Sequence, residues 1–210
     1  MKNKRRVGLG RVFHRKHISL FYGFQKDLLE LAVPYFREGL RNNDLCMWVV
    51  SDSLGIKGAK EALSGKIKDL DAYLKKGQLE ILDYRDWYLK GGKFIPNRVL
   101  KGWAEKEKQA LKQGFKGLRL SGDITWITKK DWNKWVNYEK KVDSLINKYK
   151  MTGLCTYPLK KLDLSDVFVL STNHRFAFSN VNGQWHILKN VKLNNVLENI
   201  RFYLKDYGLK

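Results

Sequence analysis

The chain has 210 residues, enough for one domain or two small ones, and its 41 Lys and Arg against 21 Asp and Glu give a formal charge of +20. With 43% apolar and 13% aromatic residues it can bury a core, which excludes disorder as its main state. Its longest apolar runs, such as Leu45–Val50, fall far short of the roughly 20 residues that cross a bilayer. The basic start Lys2–Arg6 is followed by glycines and Arg11 rather than an apolar segment, so a cytoplasmic protein is expected. Cys46 and Cys155 both lie inside apolar segments and read as reduced core thiols.

Residues 1–16 carry seven Lys or Arg and no acid, and read as a basic flexible tail. His17–Tyr22 reads as a first strand. Gln25–Leu40 reads as a helix with Leu28, Leu31, Ala32, Tyr35 and Phe36 on one side; Pro34 predicts a kink there or a helix in two pieces. Leu45–Val50 is a buried strand, Ile56–Lys76 a helix in two parts and Leu79–Leu82 the next strand. After an aromatic loop, Asp83–Phe94, Pro96 and Asn97 open a helix striped with Val99, Leu100, Trp103, Ala104, Ala110 and Leu111. Gly117–Ser121 is a fourth strand. A helix over 131–150 carries Trp132, Trp135, Val136, Val142, Leu145, Ile146 and Tyr149 at helical spacing, and Met151–Thr156 is a fifth strand. Beyond Asp166 the pattern turns to strand against strand: Val167–Leu170, Arg175–Ser179 and Gln184–Leu188, with Asn182-Gly183 as a hairpin turn. An amphipathic helix over 191–210 ends the chain. The alternation predicts an α/β fold, a mainly parallel sheet flanked by helices with an antiparallel hairpin at its edge.

In such sheets ligands bind beyond the carboxyl ends of the parallel strands. The loops there are aromatic, with Phe24, Tyr84, Trp87, Tyr88, Phe94, Trp126 and Tyr157, and can line an apolar pocket or cage a cation; each ring taken singly is equally a core residue. The turn Tyr22-Gly23-Phe24-Gln25-Lys26-Asp27 lacks a phosphate-cradling glycine run, and Asp123 just past a strand is a weak pointer to a metal-binding acid. His14, His17, His174 and His186 have no metal-site spacing, so no metal and no cofactor are expected. Cys155 with a distant His could form a nucleophile–base pair, although buried cysteines are usually inert. Arg119 is a charge inside an apolar strand and needs a carboxylate or an anionic ligand.

Many stretches occur in one order: His17–Tyr22, Pro34–Leu40, Cys46–Val50, Gly77-Gln78, Trp87-Tyr88, Gly91 with Phe94, Trp103, Gly117–Gly122, Trp126, Tyr138-Glu139, Met151, Leu154–Tyr157 and Asn173-His174. In these the chain, over about residues 17–188, resembles the MEDS domain, the methanogen/methylotroph, DcmR-type sensory family. The resemblance implies a RecA/KaiC-like core without its phosphate loop and sensing of a one-carbon or hydrocarbon-type compound. Members are often joined to DNA-binding or signalling domains. None is read here, so the resemblance implies output through a separate regulator or signalling protein, the tail or the terminal helix.

The expectation is therefore a non-enzymatic sensory domain over 17–190. Trp87, Tyr88, Phe94, Trp126 and Tyr157 would form its ligand wall, with His17, Arg119 and Asp123 as polar orienters. Two alternatives stay open: a nucleotide-binding protein or ATPase of RecA/KaiC descent, and an accessory protein binding nucleic acid through its basic surface. A homo-oligomer stays open as well.

Overall fold

The computed structural model describes residues 17–181 and 183–189. The basic tail over 1–16 and the helix expected over 191–210 lie outside the described residues. Seven strands form one sheet: β1 (His17–Tyr22), β2 (Leu45–Val50), β3 (Leu79–Asp83), β4 (Leu118–Asp123), β5 (Met151–Pro158), β6 (Phe176–Val181) and β7 (Gln184–Lys189). Their order is β3-β2-β4-β5-β1-β6-β7. All neighbours are parallel except β6 and β7. The expected edge hairpin is thus present, with Gly183 supplying the positive φ of its turn, 79°.

Strands β1, β2 and β4 are buried along their whole length, as strands covered on both faces must be. On one face Ile18, Leu20, Trp48 and Leu154 pack against α1 (Gln25–Arg41), α2 (Gly55–Ser64) and α3 (Leu70–Lys75). On the other, Phe21, Met47, Leu120 and Tyr157 pack against α5 (Pro96–Lys112), α6 (Trp132–Lys148) and α7 (Leu164–Thr172). A short helix, α4 (Tyr84–Trp87), lies between β3 and α5 and opens the expected aromatic loop, with Asp83 as its cap accepting from the Arg85 N–H. Among the described residues no helix is long and apolar enough to cross a membrane.

One local expectation is corrected, and of the two outcomes offered at Pro34 one is removed. Val167–Leu170 is not a strand but the middle of α7, because Asp163 and Asp166 close a reciprocal capping box at its start. Helix α1 is not in two pieces: it runs from Gln25 to Arg41 with Pro34 inside it. Its inner face, Leu28, Leu31, Ala32, Tyr35 and Phe36, is fully buried, and tertiary packing of that face outweighs the one hydrogen bond that proline removes.

Candidate functional site

At the carboxyl edge the segment after β3 folds back over β4. Tyr88 lies on Gly122, where a Cβ would clash with its hydroxyl oxygen and stand 3.0 Å from Cζ, so only glycine admits this approach. Around Tyr88 gather Trp126 (ring centroids 5.1 Å apart), Trp135 (5.7 Å), Trp103 (6.4 Å), Phe94 (6.5 Å) and Tyr138 (6.5 Å). Trp87 packs on Trp103 at 4.4 Å. Four of the five expected wall residues, Trp87, Tyr88, Phe94 and Trp126, therefore meet in one cluster, joined by Trp103, Trp135 and Tyr138 from α5 and α6. The rings fill the space between them by packing on one another. Arg98 ties the loop down, its guanidinium donating to the carbonyls of Tyr88 (2.7 Å), Lys93 (3.1 Å) and Lys90. Trp103 donates its indole N–H to Tyr138 at 2.8 Å. The indole N–H groups of Trp87 and Trp135 are buried and have no acceptor.

Tyr157, the fifth wall residue, is placed elsewhere: fully buried, it stacks on Phe21 at 5.4 Å and its hydroxyl lies 3.3 Å from His174 Nε2. Phe24 stands 63% exposed. Asp123 is at the edge but already satisfied: Oδ2 accepts from Tyr22 Oη (2.6 Å), Oδ1 from Ser51 Oγ (2.9 Å) and from the Thr125 N–H (2.7 Å). Burial and this carboxylate push the Tyr22 hydroxyl well above its usual range. The carbonyl of Asp123 accepts the Trp126 indole N–H at 2.8 Å. At the start of α1, Asp27 accepts from the Phe24 N–H (3.1 Å) and from Asn180 Nδ2 (3.0 Å). Arg119 is 1% exposed on the α1 face, where its Nε donates to Asp44 at 3.1 Å and a second nitrogen to the Tyr35 carbonyl at 3.3 Å. Its guanidinium also lies over the Tyr35 ring. Gly39 makes that room, since a Cβ there would stand 2.7 Å from Arg119 Nε. The carboxylate partner is Asp44, so Arg119 is held away from the aromatic cluster.

His17 belongs to a second buried group. It opens β1, Cys155 comes from the middle of β5, Glu139 from α6 and His174 from the turn between α7 and β6, and all four are buried. His17 Nε2 lies 3.1 Å from Glu139 Oε2 and 3.3 Å from Cys155 Sγ; His174 Nε2 lies 3.4 Å from the same oxygen, and Cys155 Sγ 3.6 Å from it. The Nδ1 atoms face backbone carbonyls, His17 that of Asn173 (3.2 Å) and His174 that of Leu170 (2.6 Å). Burial opposes ionisation of Glu139, but the bonds from both imidazoles outweigh it and bring its pKa down to about 2. Burial also opposes charge on His17, yet Cys155, Asp143 and Glu139 hold its pKa well above the usual value. Burial and the neighbouring His17 lower that of His174. Burial, then Glu139, pushes the Cys155 thiol up to about 11. A Cys–His pair is thus formed, but with a thiol poorly suited to nucleophilic attack.

Comparisons with known proteins bear on this geometry. The family described as the methanogen/methylotroph, DcmR sensory domain matches residues 16–175. The transcriptional repressor DcmR of Methylorubrum extorquens strain DM4 is 28% identical over 175 residues, which cover 82% of this chain and 62% of the repressor. The chain thus matches less than two thirds of that relative's length. Among solved structures, the flagellar accessory protein FlaH of Methanocaldococcus jannaschii matches with a TM-score of 0.52 at 12% identity, over 84% of this chain and 79% of its own. A KaiC-like protein of Pyrococcus horikoshii OT3 matches with a TM-score of 0.55 at 12% identity, over 87% and 83%. These two likenesses establish the RecA/KaiC-like fold and nothing further.

Proposed function

We propose, from the premise that this chain belongs to the MEDS family of methanogen/methylotroph sensory domains, that it binds a small, largely apolar one-carbon or hydrocarbon-type compound at the aromatic cluster. It would do so without catalysing a reaction. The observation that carries this reading is the pair of buried indole N–H groups, on Trp87 and Trp135, that lack acceptors inside the aromatic cluster. An unmet buried donor costs about 1–3 kcal/mol, and a small guest with a halogen, hydroxyl or carbonyl acceptor would recover part of that while keeping the apolar contacts. Trp87, Tyr88, Phe94 and Trp126 form the wall, and Asp123 acts through the backbone carbonyl that orients Trp126.

Because the rings pack on one another, a guest must part them. The segment that would move contains Gly91 and Gly92, both at positive φ (76° and 78°), and parting the rings would loosen the bonds that Arg98 makes to its carbonyls. A guest that favours the parted arrangement shifts the population toward it, and that differential affinity is the signal. Output would pass to a separate regulatory partner in the cytoplasm, in keeping with a relative that is a transcriptional repressor.

Thermal unfolding against halogenated and methylated one-carbon compounds tests the reading. A compound at 100 times its Kd adds about 2.7 kcal/mol, or about 5–10 °C for a chain of this size. Replacing Trp87 and Trp126 by Ala should abolish that shift. A shift retained in the folded double variant, or none with any member of the panel, refutes the proposal.

A further inference from the structure

The buried group under α6 is assembled as a set of ligands. His17, Glu139, Cys155 and His174 each present one donor atom, and all four atoms lie within 4.8 Å of one another. Four of their separations are 3.1, 3.3, 3.4 and 3.6 Å. A tetrahedron with zinc–ligand bonds of about 2.0–2.3 Å has edges of about 3.3–3.7 Å. The donors thus stand close to the spacing that a tetrahedral ion requires.

The protons argue in the same direction. Each imidazole turns Nδ1 to a backbone carbonyl, Asn173 for His17 and Leu170 for His174. A carbonyl can only accept, so both Nδ1 atoms carry hydrogen. Fixing Nδ1–H in this way leaves Nε2 as the lone-pair nitrogen of a neutral ring, the arrangement found in metal-ligating histidines. Both Nε2 atoms converge on Glu139 Oε2, itself an acceptor, while Glu139 Oε1 is buried and accepts no hydrogen bond. Groups that all present lone pairs to one carboxylate oxygen repel unless a cation, a proton on Nε2 or a metal ion, stands between them. A divalent ion with one thiolate, one carboxylate and two neutral imidazoles is formally neutral, which suits a fully buried site. Asp143, 3.7 Å from His17 Nδ1, stands behind the ring where supporting carboxylates are found.

We propose that His17, Glu139, Cys155 and His174 form a closed tetrahedral site for a divalent transition metal, with zinc favoured by the N2SO donor set. Four protein ligands leave no open position, so the ion joins β1, β5, α6 and the segment before β6 rather than catalysing a reaction. This inference stands independently of the aromatic ligand site.

The test is cobalt(II) uptake by the full-length chain, freed of metal with a chelator and refolded where needed. Expected are one equivalent per chain, the intense visible bands of tetrahedral cobalt and a thiolate-to-cobalt charge-transfer band. Cys155→Ser removes the charge-transfer band and weakens binding by about 100-fold or more, since even supporting partners are worth 10–100-fold. Cys46→Ser, which changes the other buried thiol, leaves both unchanged. Titration of the unaltered chain needs no variant to fold. Wild-type protein with native circular dichroism that takes up no cobalt overturns the proposal, and the cluster is then a proton-bridged network. Cobalt spectra that are the same in wild type and Cys155→Ser overturn it equally.

Discussion

Gly122 is the point at which the aromatic loop meets the sheet, and Gly122→Ala tests that contact directly. Its φ is ordinary, so added Cβ restriction of the unfolded chain would by itself stabilise by about 0.4–1 kcal/mol. Against this, the new methyl would overlap the Tyr88 hydroxyl oxygen and stand 3.0 Å from Cζ and 3.3 Å from Cε2. Tyr88 cannot simply back away, because Trp126, Trp135 and Trp103 surround it at centroid distances of 5.1, 5.7 and 6.4 Å. Overpacking of this kind costs about 1–3 kcal/mol, and confinement on three sides places this case in the upper half. The net expectation is a loss of about 1–2.6 kcal/mol, or about 2–10 °C in Tm. Tyr88→Phe removes the atom that overlaps most, so Gly122→Ala should cost less in that background, with a coupling of about 1–2 kcal/mol. Urea unfolding of the wild type, both single variants and the double variant measures it. Additivity within about 0.5 kcal/mol would mean that Tyr88 does not lie on Gly122 in solution.

Arg119→Ala removes the Nε bond to Asp44, the bond to the Tyr35 carbonyl and the contact with the Tyr35 ring, stranding Asp44. Breaking a buried pair from one side costs about 3–5 kcal/mol, so its unfolding midpoint should fall by far more than the aromatic-cluster variants do; a loss below 1 kcal/mol would contradict the burial of the pair. Burial raises the pKa of Cys46 well above the ordinary thiol range. Raising the pH from 7 to 9 should therefore speed alkylation of Cys46 in the unfolded chain, whose thiols titrate near pH 8.5, while labelling in the folded protein stays slow. Mass mapping of the alkylated peptide reads this, and equal rates in both states would refute it.

The strands were legible because Leu45–Val50, Leu79–Leu82 and Met151–Thr156 alternate with longer amphipathic helical segments, and that alternation, more than the runs themselves, reads as a parallel sheet. Val167–Leu170 was misassigned because such a run fits a buried strand and a buried helix turn equally. Asp163 and Asp166, spaced as a capping box, were the signal that separates them. The aromatic cluster was partly legible since Trp87, Tyr88 and Phe94 share one loop. Tyr157 was not: it shares the face of that cluster but lies farther along the sheet, against Phe21 of β1 and His174. The His17 cluster had no motif to find: His17 and Cys155 are 138 residues apart, and His17 and Asn173 are 156 apart. One signal did exist. Glu139 lies four residues after Trp135 and three before Val142, so it occupies the apolar stripe of α6, where an acid needs a partner.

Open parallel sheets bind ligands at the carboxyl edge, and the side chains of this edge oppose a nucleotide. A phosphate would approach the N-terminus of α1, where the Asp27 carboxylate already accepts the Phe24 N–H and the Asn180 amide. Two unit charges 4 Å apart near a protein surface repel by roughly 4 kcal/mol. A magnesium ion would look to Asp123, but Tyr22, Ser51 and the Thr125 N–H donate to both of its oxygens, and those bonds would have to be given up. Millimolar ATP with magnesium should therefore leave the unfolding midpoint unchanged, whereas binding at 100 times Kd would raise it by about 5–10 °C. A rise of that size that disappears in Asp123→Asn would overturn this argument and make the edge a nucleotide site. Its absence, together with a response to small apolar compounds, is what an edge lined by acids and tryptophans should give.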